Sequence, residues 1–300
     1  MRFIIPVESI LQNKGGVILY DVEKNEIIKQ YVHNKTWKRT GWRGGVLFND
    51  YLISTDWNDI HYFNIKDWKY ERTFKFNLFN DLHYLAVKNN KLYVANTGLD
   101  SIEIFENPLK PKHIKTKFVF KCNPCFKNRD IDTNIKWNEQ YKTKHSCHPN
   151  CISLKGGKIF ITCFEDHTRK YYTGKIIELN SGKVVLGNYN CHDGNFNKGN
   201  FYLTQTRQNK LLIINDILNR TWPISKPDKK INIGGNGWWR GMILKDNNVY
   251  IFSSYGYKNK RPASLSIINL DTQKSILQTI PKSDGIIWDT IYQPCLLKED

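Results

Sequence analysis

The sequence predicts an all-β protein built as a six-bladed β-propeller. Three observations lead there. Short runs rich in Ile, Val, Tyr and Phe recur without a long amphipathic helical period. A unit of four such runs repeats at intervals of some tens of residues. Partial units at the two ends complement one another.

The chain begins with three strand-like runs, "RFIIPVE", "GGVILYDV" and "EIIKQYV". Five full units follow, each opening on a strand, a tight polar turn and a second strand. The openings are "WRGGVLFNDYLIST" (42–55), "LHYLAVKNNKLYVAN" (82–96), "CHPNCISLKGGKIFITC" (147–163), "CHDGNFNKGNFYLTQT" (191–206) and "WRGMILKDNNVYIFSS" (239–254). A second strand pair completes each unit, for example "GKIIELNSGKVVLGN" after the third. The closing "WDTIYQPCLL" (288–297) supplies one innermost strand. Joined to the three N-terminal strands it makes a sixth blade, and the closed ring leaves no exposed sheet edge to aggregate. One domain is expected over 1–300, with an insertion at about 118–146.

Composition fits this reading and excludes several others. With 300 residues, 40% hydrophobic and 13% aromatic, the chain can bury a sizeable core. No run approaches the roughly 20 apolar residues of a membrane span, and "MRFIIPVESI" lacks a signal-peptide pattern. A cytoplasmic protein with no membrane partner is expected. Seven cysteines, an odd number scattered along the chain, suit reduced thiols. The net charge of +17 favours anionic partners. Its lysines are spread without a stripe and no nucleic-acid-binding motif accompanies them, so nucleic acid is not the expected partner.

The residues that open the innermost strands are Arg43, His83, His148, His192, Arg240 and Asp289. In a propeller these positions converge on one mouth of the central channel. Three imidazoles from consecutive blades suit a divalent transition metal such as Zn, Fe or Mn and leave a coordination position for water or substrate. Arg43 and Arg240 are placed to grip a carboxylate or phosphate. Asp289 is read as a fourth ligand or general base, with holding an arginine or orienting a histidine as its alternatives. Trp42, Trp239 and Trp288 adjoin these positions and are candidate walls of the pocket, against the plainer reading of inter-blade packing. A polar plug of histidines without metal is the alternative to the whole site.

"DLHYLAVKNNKLYVANT", "CHPNCISL", "CHDGNF", "WWRGMIL" and "IIWDTIYQ" stand in the order of the landmarks of an uncharacterised bacterial family of conserved hypothetical propeller proteins, which the chain resembles over roughly 80–295. The landmarks fall on Asp81 and His83, on Cys147, His148 and Asn150, on His192, on Arg240 and Gly241, and on Asp289. The resemblance implies the propeller and the three histidines but no reaction. Cys191 stands where that family has proline, and the 118–146 insertion is a further departure. More distantly the chain is similar to gluconolactonase-like and strictosidine-synthase-like propellers. Some of those hold Ca²⁺ on oxygen ligands, whereas histidines point to another ion.

Within the insertion, Cys122 and Cys125 form a C-x₂-C pair, followed by His145, Cys147 and Cys151. A structural zinc is one reading of the set and free thiols the other, and the non-standard spacing favours thiols. The function expected from all this is a metal-dependent enzyme of lyase or hydrolase type acting on a small anionic metabolite, an oxygenase remaining open. The alternatives are a non-catalytic binding module and, ranked last, a nucleic-acid- or virion-associated protein.

Overall fold

The structure is a computed structural model that describes residues 1–10, 12–33, 41–119, 147–164, 174–235, 237–254 and 261–297. Strands dominate, and only three short 3-10 turns interrupt them among the described residues. Each repeat found in the sequence is an antiparallel meander. The N-terminal strands are β1 (Arg2–Ser9), β2 (Lys14–Asp21) and β3 (Glu26–His33). Four four-stranded sheets follow. The first holds β4 (Gly45–Phe48), β5 (Tyr51–Thr55), β6 (Asp59–Asn64) and β7 (Lys69–Lys75), and the second β8 (Leu82–Lys88), β9 (Lys91–Asn96), β10 (Ser101–Glu106) and β11 (Lys112–Phe118). The third comprises β12 (Pro149–Lys155), β13 (Lys158–Cys163), β14 (Lys175–Glu178) and β15 (Lys183–Gly187). The fourth comprises β16 (Cys191–Asn197), β17 (Asn200–Gln205), β18 (Lys210–Ile214) and β19 (Lys229–Asn232).

The remaining strands join the N-terminal three in one nine-stranded sheet. They are β20 (Trp238–Lys245), β21 (Asn248–Ser254), β22 (Ser264–Asn269), β23 (Ser275–Thr279), β24 (Thr290–Ile291) and β25 (Cys295–Leu296). Two meanders make up this sheet, and a single residue pair, Ser254 with Thr290, bridges them. The C-terminal strands pair with β1 as expected, Ile291 with Val7 and Cys295 with Ile4. The arrangement is propeller-like: four separate blades and one larger sheet through which the two ends of the chain meet.

Turn chemistry fixes the hairpins between first and second strands. Each is a two-residue turn whose leading residue has positive φ: Asn49, Asn89, Gly156, Lys198 and Asp246. Positive φ at a turn matches the right-handed twist of the flanking strands, which is why Asn, Asp and Gly recur there. Asn90, also at positive φ, has a side chain that tolerates this conformation, and a β-branched one does not. Asn90→Val is therefore expected to lower stability by about 1–2 kcal/mol in urea unfolding; an unchanged midpoint would show that the turn imposes no such demand.

Burial grades outward from the channel. Second strands such as β17 are almost wholly buried, whereas the outermost β3, β7, β11 and β23 are mostly exposed or half-buried. Large side chains fill the space between sheets, and Trp42, Trp239 and Trp288 are each 0% exposed. Trp42 stacks on His61 at 5.0 Å with rings 1° from parallel. Trp42 and Trp239 pack between neighbouring sheets and Trp288 between the two meanders of the larger sheet. No helix among the described residues is long and apolar enough to cross a membrane.

Candidate functional site

A shared backbone irregularity marks the candidate positions. First-to-second strand pairing slips between Leu82 and Tyr84, between Pro149 and Cys151, between Cys191 and Gly194, and between Arg240 and Met242. Such bulges re-aim a side chain away from the regular alternation. They free His83, Asn150, His192 with Asp193, and Gly241 from the ladder beside the strand entries.

Three histidines meet there. The rings of His83 and His148 stand edge to face with centroids 4.8 Å apart, and His83 lies 6.4 Å from His192. His83 and His192 are buried, and His148 is partly buried at a positive φ. Arg43 Nη1 reaches within 3.5 Å of His83 Nε2. Tyr292 ties the two ends of the chain into the cluster: its ring lies 6.0 Å from His83, with Arg43 Cζ at 5.3 Å and Arg240 Cζ at 4.6 Å. The structure thus brings Arg43, His83, His148, His192 and Arg240 together with Tyr292.

Carboxylates set the positions, mostly from a neighbouring repeat. Asp81 Oδ1 accepts from Arg43 Nη1 at 2.8 Å and lies 3.2 Å from His83 Nε2. Asp100 Oδ1 accepts the backbone N–H groups of Cys147 and His148, each at 3.1 Å. Asp193 Oδ2 accepts from Gly241 N at 2.9 Å, beside Arg240. Gly241 needs both its positive φ and its missing side chain, because a Cβ there would stand 2.7 Å from Tyr292 O. Asp289 Oδ1 accepts from Ile10 N at 3.2 Å and Thr290 Oγ1 at 2.9 Å, and its N–H donates to Glu8 O. These contacts fasten the ring closure.

The two arginines differ in role. Arg43 is buried and ion-paired to Asp81, with Glu8 Oε2 3.9 Å from its Nε. Burial works against its charge, but Tyr292, Glu8 and Asp81 outweigh that and raise its pKa. Burial likewise opposes ionisation of Asp81, yet His83 and Arg43 hold its carboxyl well below the usual range. Arg240 is half-buried, and its Nε and Nη1 have no hydrogen-bond partner. Of the pair proposed as an anion clamp, Arg240 is the one with open donors.

Several buried polar atoms around the three histidines lack a hydrogen-bond partner. Glu8 Oε2, His83 Nδ1, both ring nitrogens of His192, Asp193 Oδ1 and both amide atoms of Asn150 are buried without a hydrogen-bond partner. Folded proteins pair nearly all such groups, so each of these is an exception. Burial pushes both imidazoles toward neutrality, lowering His83 and, with help from Arg240, taking His192 down to about 4. Burial also raises Glu8, against the pull of Arg43.

Neutral imidazoles with open lone pairs are the form that binds transition metals. Two imidazoles on one tetrahedral ion at roughly 2.0–2.1 Å have ring centroids about 5 Å apart. The His83–His148 spacing matches, and His192 must move inward or rotate. As the side chains stand, no metal-holding group of three or more His, Cys, Asp or Glu occurs among the described residues.

Cys147 and Cys151 are buried free thiols. Cys147 Sγ donates to Asp100 Oδ1 at 3.2 Å, and Cys151 Sγ accepts from Gly194 N at 3.1 Å. Burial raises both thiols, Cys151 to about 12, so neither is a ready thiolate for zinc. Cys122, Cys125 and His145 lie outside the described residues, as does the insertion from 120 to 146.

Strand-order reasoning missed Glu8, Asp193 and Tyr292. Asp193 sits next to His192 in the sequence, yet only the bulge turns it toward the cluster. Glu8 and Tyr292 come from opposite ends of the chain and meet through ring closure.

No protein-family model matches the chain, and no curated protein matches it. Solved structures do. A chain of a nidogen–laminin complex superimposes with a TM-score of 0.62 at 11% identity, covering 98% of this chain and 97% of that one. A protein of unknown function from Bacteroides caccae gives a TM-score of 0.65 at 11% identity, with 100% of both chains covered. At this identity the likeness is one of propeller-like fold.

Proposed function

We propose that this protein is a six-bladed propeller whose channel mouth binds a small anionic metabolite beside a divalent transition metal, and that it is an enzyme of lyase or hydrolase type. The blade count treats the nine-stranded sheet as two blades, since one residue pair joins its two meanders. The observation that carries the functional reading is the juxtaposition of His83, His148 and His192 with ring nitrogens unpaired on His83 and His192, beside an arginine with two open donors.

His83, His148 and His192 are the residues that would hold the ion, whose chemistry is Lewis-acid polarisation of a substrate oxygen or a bound water. Arg240 holds the anionic group of the substrate. Tyr292 presents its ring to that guanidinium and keeps it facing the mouth. Proton transfer is assigned to Glu8 in place of Asp289. Glu8 Oε2 has no hydrogen-bond partner, and burial keeps its carboxyl closer to neutral pH than usual, whereas Asp289 Oδ1 is engaged by Ile10 and Thr290.

Titration of the purified protein with Co²⁺, read by visible absorption, followed by oxalate, tests this reading. One equivalent of Co²⁺ and an oxalate-dependent change in its spectrum are expected. Arg240→Gln should keep the metal and weaken oxalate by about 10–100-fold, the usual worth of a charge-assisted hydrogen bond. No Co²⁺ uptake, or oxalate binding indifferent to Arg240, would remove the proposal.

A further inference from the structure

We infer that Asn150 is a further ligand-binding residue of the mouth, and that its amide selects a hydroxy acid over a simple carboxylate. The ligand class rests on the anionic-metabolite reading above; the placement of Asn150 rests on strand register.

The five hairpins between first and second strands close on the pairs Phe48–Tyr51, Lys88–Lys91, Lys155–Lys158, Asn197–Asn200 and Lys245–Asn248. The fifth residue before the first member of each pair is, in order, Arg43, His83, Asn150, His192 and Arg240. Asn150 therefore holds in the third repeat the position that two arginines and two histidines hold in the others. His148 reaches the mouth from two residues earlier.

The backbone around Asn150 matches that around His83. Each is the extra residue of its bulge, between Leu82 and Tyr84 or between Pro149 and Cys151. Two positions before each stands a residue at positive φ, Asp81 at 53° and His148 at 50°. The carbonyls of these two accept the N–H that follows the second strand, from Thr97 at 3.2 Å and from Phe164 at 3.1 Å. Neighbouring repeats then mesh in one pattern, Arg43 meeting Asp81 and His83 meeting His148. Asn150 comes next in this series, in the repeat between those of His83 and His192, whose rings lie 6.4 Å apart.

Asn150 is 1% exposed, yet neither its Oδ1 nor its Nδ2 has a hydrogen-bond partner among the described residues. A buried amide left in that state costs the fold stability. It carries two donors and an acceptor, so a ligand that satisfies it offers both an acceptor and a donor. A carboxylate held by Arg240 supplies acceptors only. The donor is assigned to a hydroxyl on the same molecule, because an ammonium would stand against the positive charges of Arg43 and Arg240.

Glycolate and acetate, which differ by that hydroxyl, test the inference in ¹H–¹⁵N chemical-shift titrations. Protein stripped of metal is used, so that chelation by the hydroxy acid plays no part. Glycolate is expected to bind about 10-fold tighter than acetate, the worth of one neutral hydrogen bond, with no preference in Asn150→Leu. That substitution keeps the shape and removes two unpaired polar atoms, so its urea midpoint should hold or rise. A clearly lower midpoint for folded Asn150→Leu, a preference that survives in it, or equal binding of the two acids by the parent would overturn the inference. Asn150→Ala repeats the binding comparison should the leucine variant not fold. Acetate binding indifferent to Arg240→Gln, or no binding of either acid, would end the anion reading and the ligand class with it. Arg240-dependent binding without a preference for glycolate would end the inference alone.

Discussion

Alanine at His83, His148 or His192 is expected to cost the protein its divalent metal, each substitution lowering Co²⁺ affinity by more than about 100-fold, beyond the 10–100-fold typical of groups that only orient a ligand. The expectation follows from convergence. The rings come from three repeats and lie 4.8 Å and 6.4 Å apart around His83, so an ion held by all three has no substitute when one is removed. Elemental analysis and Co²⁺ titration check it, with His113→Ala as control, because His113 lies in the second sheet against Glu103 and Phe76. Equal loss in all four variants would mean general unfolding. Retention in the three site variants would leave the polar plug as the better account of the cluster.

Acid is expected to destabilise the metal-free protein between about pH 6.5 and 4 through His192. In the unfolded chain an imidazole takes up its proton near 6.5, whereas burial beside Arg240 brings His192 down to about 4. Between those values the unfolded state binds more protons, so stability is complete above the upper limit and falls as pH drops to the lower one. At about 1.4 kcal/mol per pH unit the loss is roughly 3 kcal/mol. His83 is lowered by burial in the same sense, and Glu8, raised by burial, acts in the opposite one. The difference between the parent and His192→Gln isolates the imidazole. Urea midpoints measured across this range should slope steeply for the parent and far less for the variant; parallel slopes would show that His192 is not held neutral.

Both expectations bear on the assembly of the mouth. A carboxylate stands behind each functional side chain, Asp81 behind Arg43 and His83, Asp100 behind the His148 backbone, and Asp193 behind His192 and the strand of Arg240. Asp81 reaches the side chains of Arg43 and His83 through hydrogen bonds, whereas Asp193 Oδ1 stands 3.5 Å from His192 Nδ1 without one. Arg240 Nε and Nη1, His83 Nδ1 and both ring nitrogens of His192 have no hydrogen-bond partner.

The repeat, the hairpin turns and the pairing of the chain's two ends were legible from residue order alone. They depend on local chemistry: alternation of apolar residues, and Asn, Asp, Gly or Lys where φ turns positive. The entry positions of the innermost strands were legible too, because a repeat places equivalent residues at equivalent points around an axis. Sequence left two readings of the tryptophans open. The structure packs Trp42 and Trp239 between sheets and Trp288 between the two meanders of the larger sheet, and adjacency in the chain carries no information about which side of a strand faces a cavity.

What only the tertiary structure decided is the division of labour among the charges. Arg43 and Arg240 occupy like positions in their repeats, yet one is ion-paired to Asp81 and the other keeps open donors. Asp289 Oδ1 accepts from Ile10 and Thr290, while Glu8, from the far end of the chain, stands beside Arg43 with its Oε2 3.9 Å from Nε and without a hydrogen-bond partner. The sequence determined that Arg43, Arg240, His83 and His192 stand at like positions, through a repeat that depends on near neighbours. Their ionisation and pairing depend on distances of a few ångströms between blades, which exist only once bulges have turned the strands and the ring has closed.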